Sequence, residues 1–146
     1  MIMENYLNLL LEQLGMNRQI NELAKRGRDA IAAGDIGIVM ESNAMRKEIF
    51  SQLQSLQFKM DPHLEDLPKG LEDISPQVKD QILTVSRQLN DIISETIAVD
   101  RENEIKLRAL KEEIGEKIKE VGRGKKALGG YKSPSQKKPK LFDGEV

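Results

Sequence analysis

Between Ser75 and Val121 apolar residues return at steps of three and four: Val78, Ile82, Val85, Leu89, Ile92 and Ile93, Val99, Leu107, Leu110, Ile114, Ile118 and Val121. That spacing is one face of a continuous α-helix. Ser75 places a hydroxyl at the N-cap, and Pro76 stands where the first N–H would be unpaired in any case. No further proline interrupts the pattern, and Gly122 reads as its stop. A helix over 76–121 is roughly 70 Å long at 1.5 Å per residue, longer than a compact domain of this size is wide. It cannot bury its stripe alone. The earlier chain must lie along it, and whatever that chain does not reach stays open as a groove.

The earlier chain predicts two more helices. Over about 3–33, Met16, Ile20, Leu23, Gly27, Ala30 and Ile31 hold one stripe, which Ile2, Tyr6 and Leu9 continue backwards. Leu7, Leu10, Leu11 and Leu14 face another way, so the first turns are apolar nearly all round. Two readings fit: a helix end covered on two sides by neighbours, or a sticky surface for a partner. Gly15 is a place for a kink, whereas Gly27, on the apolar face, allows a neighbouring helix to come close. Gly34 suits a left-handed C′ position and Asp35 the next N-cap. So short a turn folds the second helix, over about 36–59, back antiparallel. Its stripe is Ile36, Val39, Met40, Ile49, Phe50, Leu53 and Leu56, with Asn43 and Arg46 set inside it. Residues 61–74, with two prolines and several acids, read as a linker. The expectation is an all-α, elongated antiparallel three-helix bundle over 1–121, followed by a flexible basic tail over 122–146.

Polar residues inside apolar stripes need partners or water. Asn43 and Arg46, like Thr96 and Asn103 on the long helix, fit register-setting polarity inside a bundle better than an outward contact site. The charged run from Asp100 to Glu104 reads as a solvated face with i,i+4 pairs. Charged residues make up 32% of the chain and aromatics 3%, a balance that favours a thin helical seam over a deep enzyme pocket. With no cysteine, disulfides and thiol catalysis are excluded. The first residues lack a basic n-region and are followed by acids, so no signal peptide is read there. No apolar run approaches the roughly 20 residues that cross a bilayer. A cytoplasmic protein without membrane insertion is expected.

Candidate chemistry is sparse. His63 is the only histidine, beside Asp61, Glu65 and Asp66, without the second His or Cys or the convergent geometry a metal requires. Gly-Arg-Gly-Lys-Lys at 122–126 follows no strand and lacks phosphate-loop spacing. No nucleophile–base pair is visible, so catalytic, cofactor and metal residues are none, and an enzyme is the least supported class. After Gly122 the cations Arg123, Lys125, Lys126, Lys132, Lys137, Lys138 and Lys140 meet no acid until Asp143. Such a tail is a solvated segment carrying a short linear motif, with Leu128, Tyr131, Leu141 and Phe142 as its sticky points. Binding nucleic acid through phosphates is the less supported reading.

Three features together resemble a known family. They are Ala33-Gly34-Asp35-Ile36 followed by Arg46 and Leu53, the Asp100–Asn103 segment (DREN) within a long last helix, and Gly124-Lys125-Lys126-Ala127-Leu128 with Tyr131 beyond it. The combination resembles the flagellar type III export chaperones of the FliT and FlgN types, over roughly residues 16–133. The GDI…R spacing leans towards the FliT type, although Ile36 stands where that type often carries an aromatic. The resemblance implies a small bacterial cytoplasmic protein without enzymatic activity or cofactor. Its cargo would be a helical end of a flagellar axial protein, the filament cap or a hook–filament junction protein, delivered to the export gate. Tyr131 matches the family's tyrosine after the long helix by position and so becomes a contact candidate. The residues expected to take cargo or partner are Leu107, Leu110, Ile114, Ile118, Val121, Leu128 and Tyr131. The pattern also admits an oligomeric coiled-coil adaptor or regulatory protein that closes its stripe with further copies of itself.

Overall fold

The computed structural model describes residues 2–65, 68, 69, 72 and 74–127. Three long helices span them: α1 (Ile2–Ala33), α2 (Ile36–Leu64) and α3 (Pro76–Ala127). No strand occurs among the described residues, so the chain is all-α and the three-helix bundle stands. By packing it divides into two units, Met1–Arg101 and Glu102–Val146.

The first unit is organised by its turns. Gly34 takes φ +73°, and the bonds Gly34 N to Ile31 O (3.1 Å) and Asp35 N to Ala30 O (2.8 Å) close a Schellman motif on α1. Asp35 then caps α2, its carboxylate accepting from Ile38 N at 3.2 Å. Ser75 caps α3 in the same way, its hydroxyl accepting from Val78 N at 3.3 Å. The short turn makes α1 and α2 antiparallel, and Arg26 reaches Glu41 across them at 3.5 Å. Met3 to Leu14 share a cluster with Ile82 to Leu89, and farther along both helices Asn21 meets Thr96 and Lys25 meets Glu95, so α3 runs in the same sense as α1. The topology is therefore up-down-up.

The core lies among the first turns of α1, the last turns of α2 and the first turns of α3. Met3, Tyr6, Leu7, Leu10 and Leu14 pack with Leu56, Met60, Ile82, Val85 and Leu89, all buried. The two apolar faces at the start of α1 are thus covered by two neighbours, which removes the sticky-surface reading there. Leu11 alone of that set is 45% exposed. Gly27 is buried on the inner face, while Gly15 sits exposed within an unbroken helix.

Two helix ends differ from expectation. Helix α2 does not stop near residue 59 but continues through Pro62 to Leu64, so the first part of the predicted linker is helical. A proline in a helix removes the donor to the carbonyl four residues back, here Phe58, and disfavours helix at the preceding residue. The lost donor falls in the last turns, at a residue 71% exposed, and two contacts hold those turns in place. Met60 is 3% exposed in the core, and the His63 ring packs edge-on against Tyr6 with centroids 6.4 Å apart.

Helix α3, in turn, passes Gly122 and Gly124 and ends at Ala127, so 122–127 are helical rather than tail. Each glycine costs about 1 kcal/mol relative to alanine in a helix interior. Residues 128–146 of the expected tail, with Leu128 and Tyr131, lie outside the described residues.

Candidate functional site

Asn21, Thr96 and Arg46, polar groups on the inner faces of the first unit, are bonded within it. The Asn21 amide, 1% exposed, donates to Thr96 Oγ1 at 3.0 Å, and that hydroxyl donates to Ile92 O at 2.8 Å. Lys25 Nζ lies 2.9 Å from Glu95 Oε1, and this hydrogen bond and charge hold the Glu95 carboxyl below its ordinary range. Arg46 reaches Asp100 through two parallel bonds, Nη1 to Oδ1 at 2.7 Å and Nη2 to Oδ2 at 2.8 Å. Its guanidinium also lies over the Phe50 ring, 5.7 Å from the centroid. Arg46 is therefore a clasp between α2 and α3, and Asp100 belongs to that clasp rather than to a solvated face. Burial pushes the Tyr6 phenol above its ordinary value.

The second unit offers a different surface. Asn103 is the last buried residue of α3. Beyond it the three-and-four spacing persists through Leu107, Leu110, Ile114, Ile118 and Val121, all on one side of the helix. None of the five is fully buried: the first four are half-buried and Val121 is 58% exposed. The structure thus brings five of the seven predicted partner-binding residues onto one accessible apolar face. Leu128 and Tyr131 are outside the described residues.

The other exposed apolar side chains do not form such a row. Met40 and Phe58 of α2 stand about 80° round the helix from Phe50 and more than four turns from each other, and Ile105, 68% exposed, lies on the far side of α3 from the stripe. Scattered singly, they are ordinary surface.

The groups beside the stripe escaped the sequence reading, which took the charges of α3 as solvated scenery. Glu104, Arg108 and Lys111 follow one flank, and Lys106, Glu113 and Lys117 the other. Marking the residues on either side of the stripe by helical angle would have found them. Ion pairs along the helix are local, Arg108 with Glu104 at 2.6 Å, Lys117 with Glu113 at 3.4 Å and Lys119 with Glu116 at 3.6 Å.

Among the described residues no group of His, Asp and Glu is placed to hold a metal ion, and no helix is long and apolar enough to cross a membrane. What this surface can do chemically is bury apolar area against another helix. Compared with protein-family models, curated proteins and solved structures, the chain has no match.

Proposed function

We propose that this protein is a non-enzymatic binding module that takes an amphipathic helix of another protein along α3 from Leu107 to Val121. The observation that carries the reading is the apolar stripe that continues past Asn103 with none of its residues fully buried. A helix laid into such a face is held by anchors at the same three-and-four spacing. Each leucine-sized side chain it covers contributes about 1.5–3 kcal/mol, offset by the ordering and immobilisation that association costs. The balance is a reversible affinity, suited to carrying a client and releasing it.

The sequence resemblance gives this module its client. In that reading the chain is a bacterial cytoplasmic chaperone of the flagellar type III export group. It covers a helical end of an axial protein, the filament cap or a hook–filament junction protein, and passes it to the export gate. It uses no cofactor, and nucleic acid is not its partner.

The test is titration of the full chain with purified terminal helical segments of those axial proteins, followed by calorimetry. One segment is expected to bind one to one. Leu110→Asp with Ile114→Asp should weaken that binding at least tenfold while urea unfolding of the first unit stays unchanged. A charge placed on each of two anchors removes their burial and adds a desolvation cost. The proposal fails if no segment binds, or if the double variant binds as well as the parent.

A further inference from the structure

Resting on that binding face, we infer that without a client its occupant is a second copy of this chain, laid antiparallel about a two-fold axis beside Ile114. The stripe reads the same in both directions: Leu110 and Ile118 stand four residues either side of Ile114, and Leu107 and Val121 stand seven. A copy turned end for end therefore brings Leu107 to Val121, Leu110 to Ile118 and Ile114 to its own counterpart. A parallel copy is blocked. The same face of α3 is already buried at Ile82, Val85, Leu89, Thr96 and Val99, and a parallel pair would have to lay two such buried lengths side by side. In an antiparallel pair they lie at opposite ends.

The flanking charges agree with that direction. In a two-fold antiparallel pair each flank of the stripe meets the same flank of the other helix, reversed. One flank carries Lys106, Glu113, Lys117 and, farther round, Glu120, so its signs alternate. Turned about Ile114, that row is its own complement. Lys106 falls within about two residues of Glu120 of the second copy, and Lys117 within about two of its Glu113, roughly 3 Å along the axis in each case. Symmetry repeats both pairs. Glu113 also nears its own counterpart, but it lies between two lysines, one of them Lys117 of its own helix at 3.4 Å. On the other flank Lys111 comes opposite Gly115 of the second copy, which carries no charge.

Size sets the strength of this contact. Five anchors a side fall well short of the roughly 20–30 residues a side of a stable interface, and exposed charge pairs add little, so the pair is transient. At about 1 μM the chain is a monomer with its stripe open, and dimers fill over the range of about 10–1,000 μM. A client helix and a second copy need the same five side chains and therefore exclude one another. Binding of a client dissociates the pair.

Sedimentation equilibrium of the full chain from about 1 μM to about 1 mM is expected to show monomer passing to dimer. Leu110→Asp with Ile114→Asp should hold it as monomer throughout. Lys106→Glu with Lys117→Glu makes the alternating flank wholly acidic, and Glu113→Lys with Glu120→Lys makes it wholly basic. With helicity by circular dichroism equal to the parent's, each should self-associate about tenfold more weakly, while their equimolar mixture pairs at least as tightly as the parent. The chain has no cysteine, so Leu107→Cys mixed with Val121→Cys should cross-link through a short bis-maleimide. Neither should do so alone, its two copies of the thiol standing roughly 20 Å apart along the axis. A monomer at every concentration, a dimer that survives the double aspartate variant, or a charge mixture no tighter than its components overturns the inference. If the chain stays monomeric while an axial segment binds it, the inference falls and the binding role stands. If the dimer forms as described and no segment binds, the client reading falls and the pairing stands. A dimer that persists with a segment bound overturns their mutual exclusion.

Discussion

Arg46 and Asp100 stand 54 residues apart in the chain and meet in a two-bond clasp, with the Arg46 side chain 17% exposed and that of Asp100 36%. A half-buried pair is worth less than its geometry suggests, because both ions give up hydration to form it. Removing one member is a different matter, since the other is left without its counter-charge. Arg46→Met should therefore lower stability by about 1–3 kcal/mol. Asp100→Leu should cost a comparable amount, and the double variant should recover a large part of the loss. A urea double-mutant cycle measures this, and strict additivity would show that the two residues do not act together. Ser42 presents the opposite case. It is 1% exposed, and its hydroxyl has no hydrogen-bond partner among the described residues. Burying an unpaired hydroxyl is unfavourable, and alanine keeps the helix while removing the group. Ser42→Ala is expected to raise stability by about 1 kcal/mol in the same urea assay. A loss of stability would mean that the hydroxyl is bonded in solution.

Element boundaries were legible wherever a single local device sets them. The Gly34–Asp35 turn and the Ser75–Pro76 start follow from the φ preference of glycine and the reach of a short side-chain oxygen, both properties of a few adjacent residues. The far ends of α2 and α3 were not legible, because local signals there lose to something else. Pro62 carries a stop signal that packing of Met60 and His63 overrides, and no window of sequence shows that Tyr6 waits across the bundle. The stripe from Leu107 to Val121 could be read from spacing alone, but how far it is covered could not. Spacing tells which side of a helix is apolar, and only the fold tells what lies against it. Nor does spacing reveal that Asp100, inside a run of charges, belongs to Arg46. At the end of α3 two glycines dilute the helix, which continues through both. Gly122→Ala with Gly124→Ala should add about 1 kcal/mol of helix stability per site and raise far-ultraviolet ellipticity. The amides from Lys119 to Lys126 should exchange more slowly in the variant. No change in either readout would indicate that these turns are fixed by contacts rather than by propensity.

Stability across the whole molecule should be as uneven as burial is. Amides of α1, α2 and the start of α3 are covered by a core in which Leu10, Leu14, Leu56, Ile82 and Val85 are all under a tenth exposed, so they open only when that core opens. From Glu104 to Gly124 no residue is fully buried, and helical hydrogen bonds without burial must rely on propensity and local ion pairs. These turns extend a helix already formed over 76–103 and so need no new nucleus, but they fray from their end, and each pair along the surface adds only a few tenths of a kcal/mol. Hydrogen exchange read by mass spectrometry should accordingly show residues 82–99 protected close to the global unfolding limit and residues 104–127 exchanging far sooner. Adding a client helix should slow exchange in 107–121 and change the core little, because the new contacts are made on that stripe. Strong protection of 104–127 in the unliganded chain would mean that the stripe is already covered in solution. The face on which the binding role rests would then not be free.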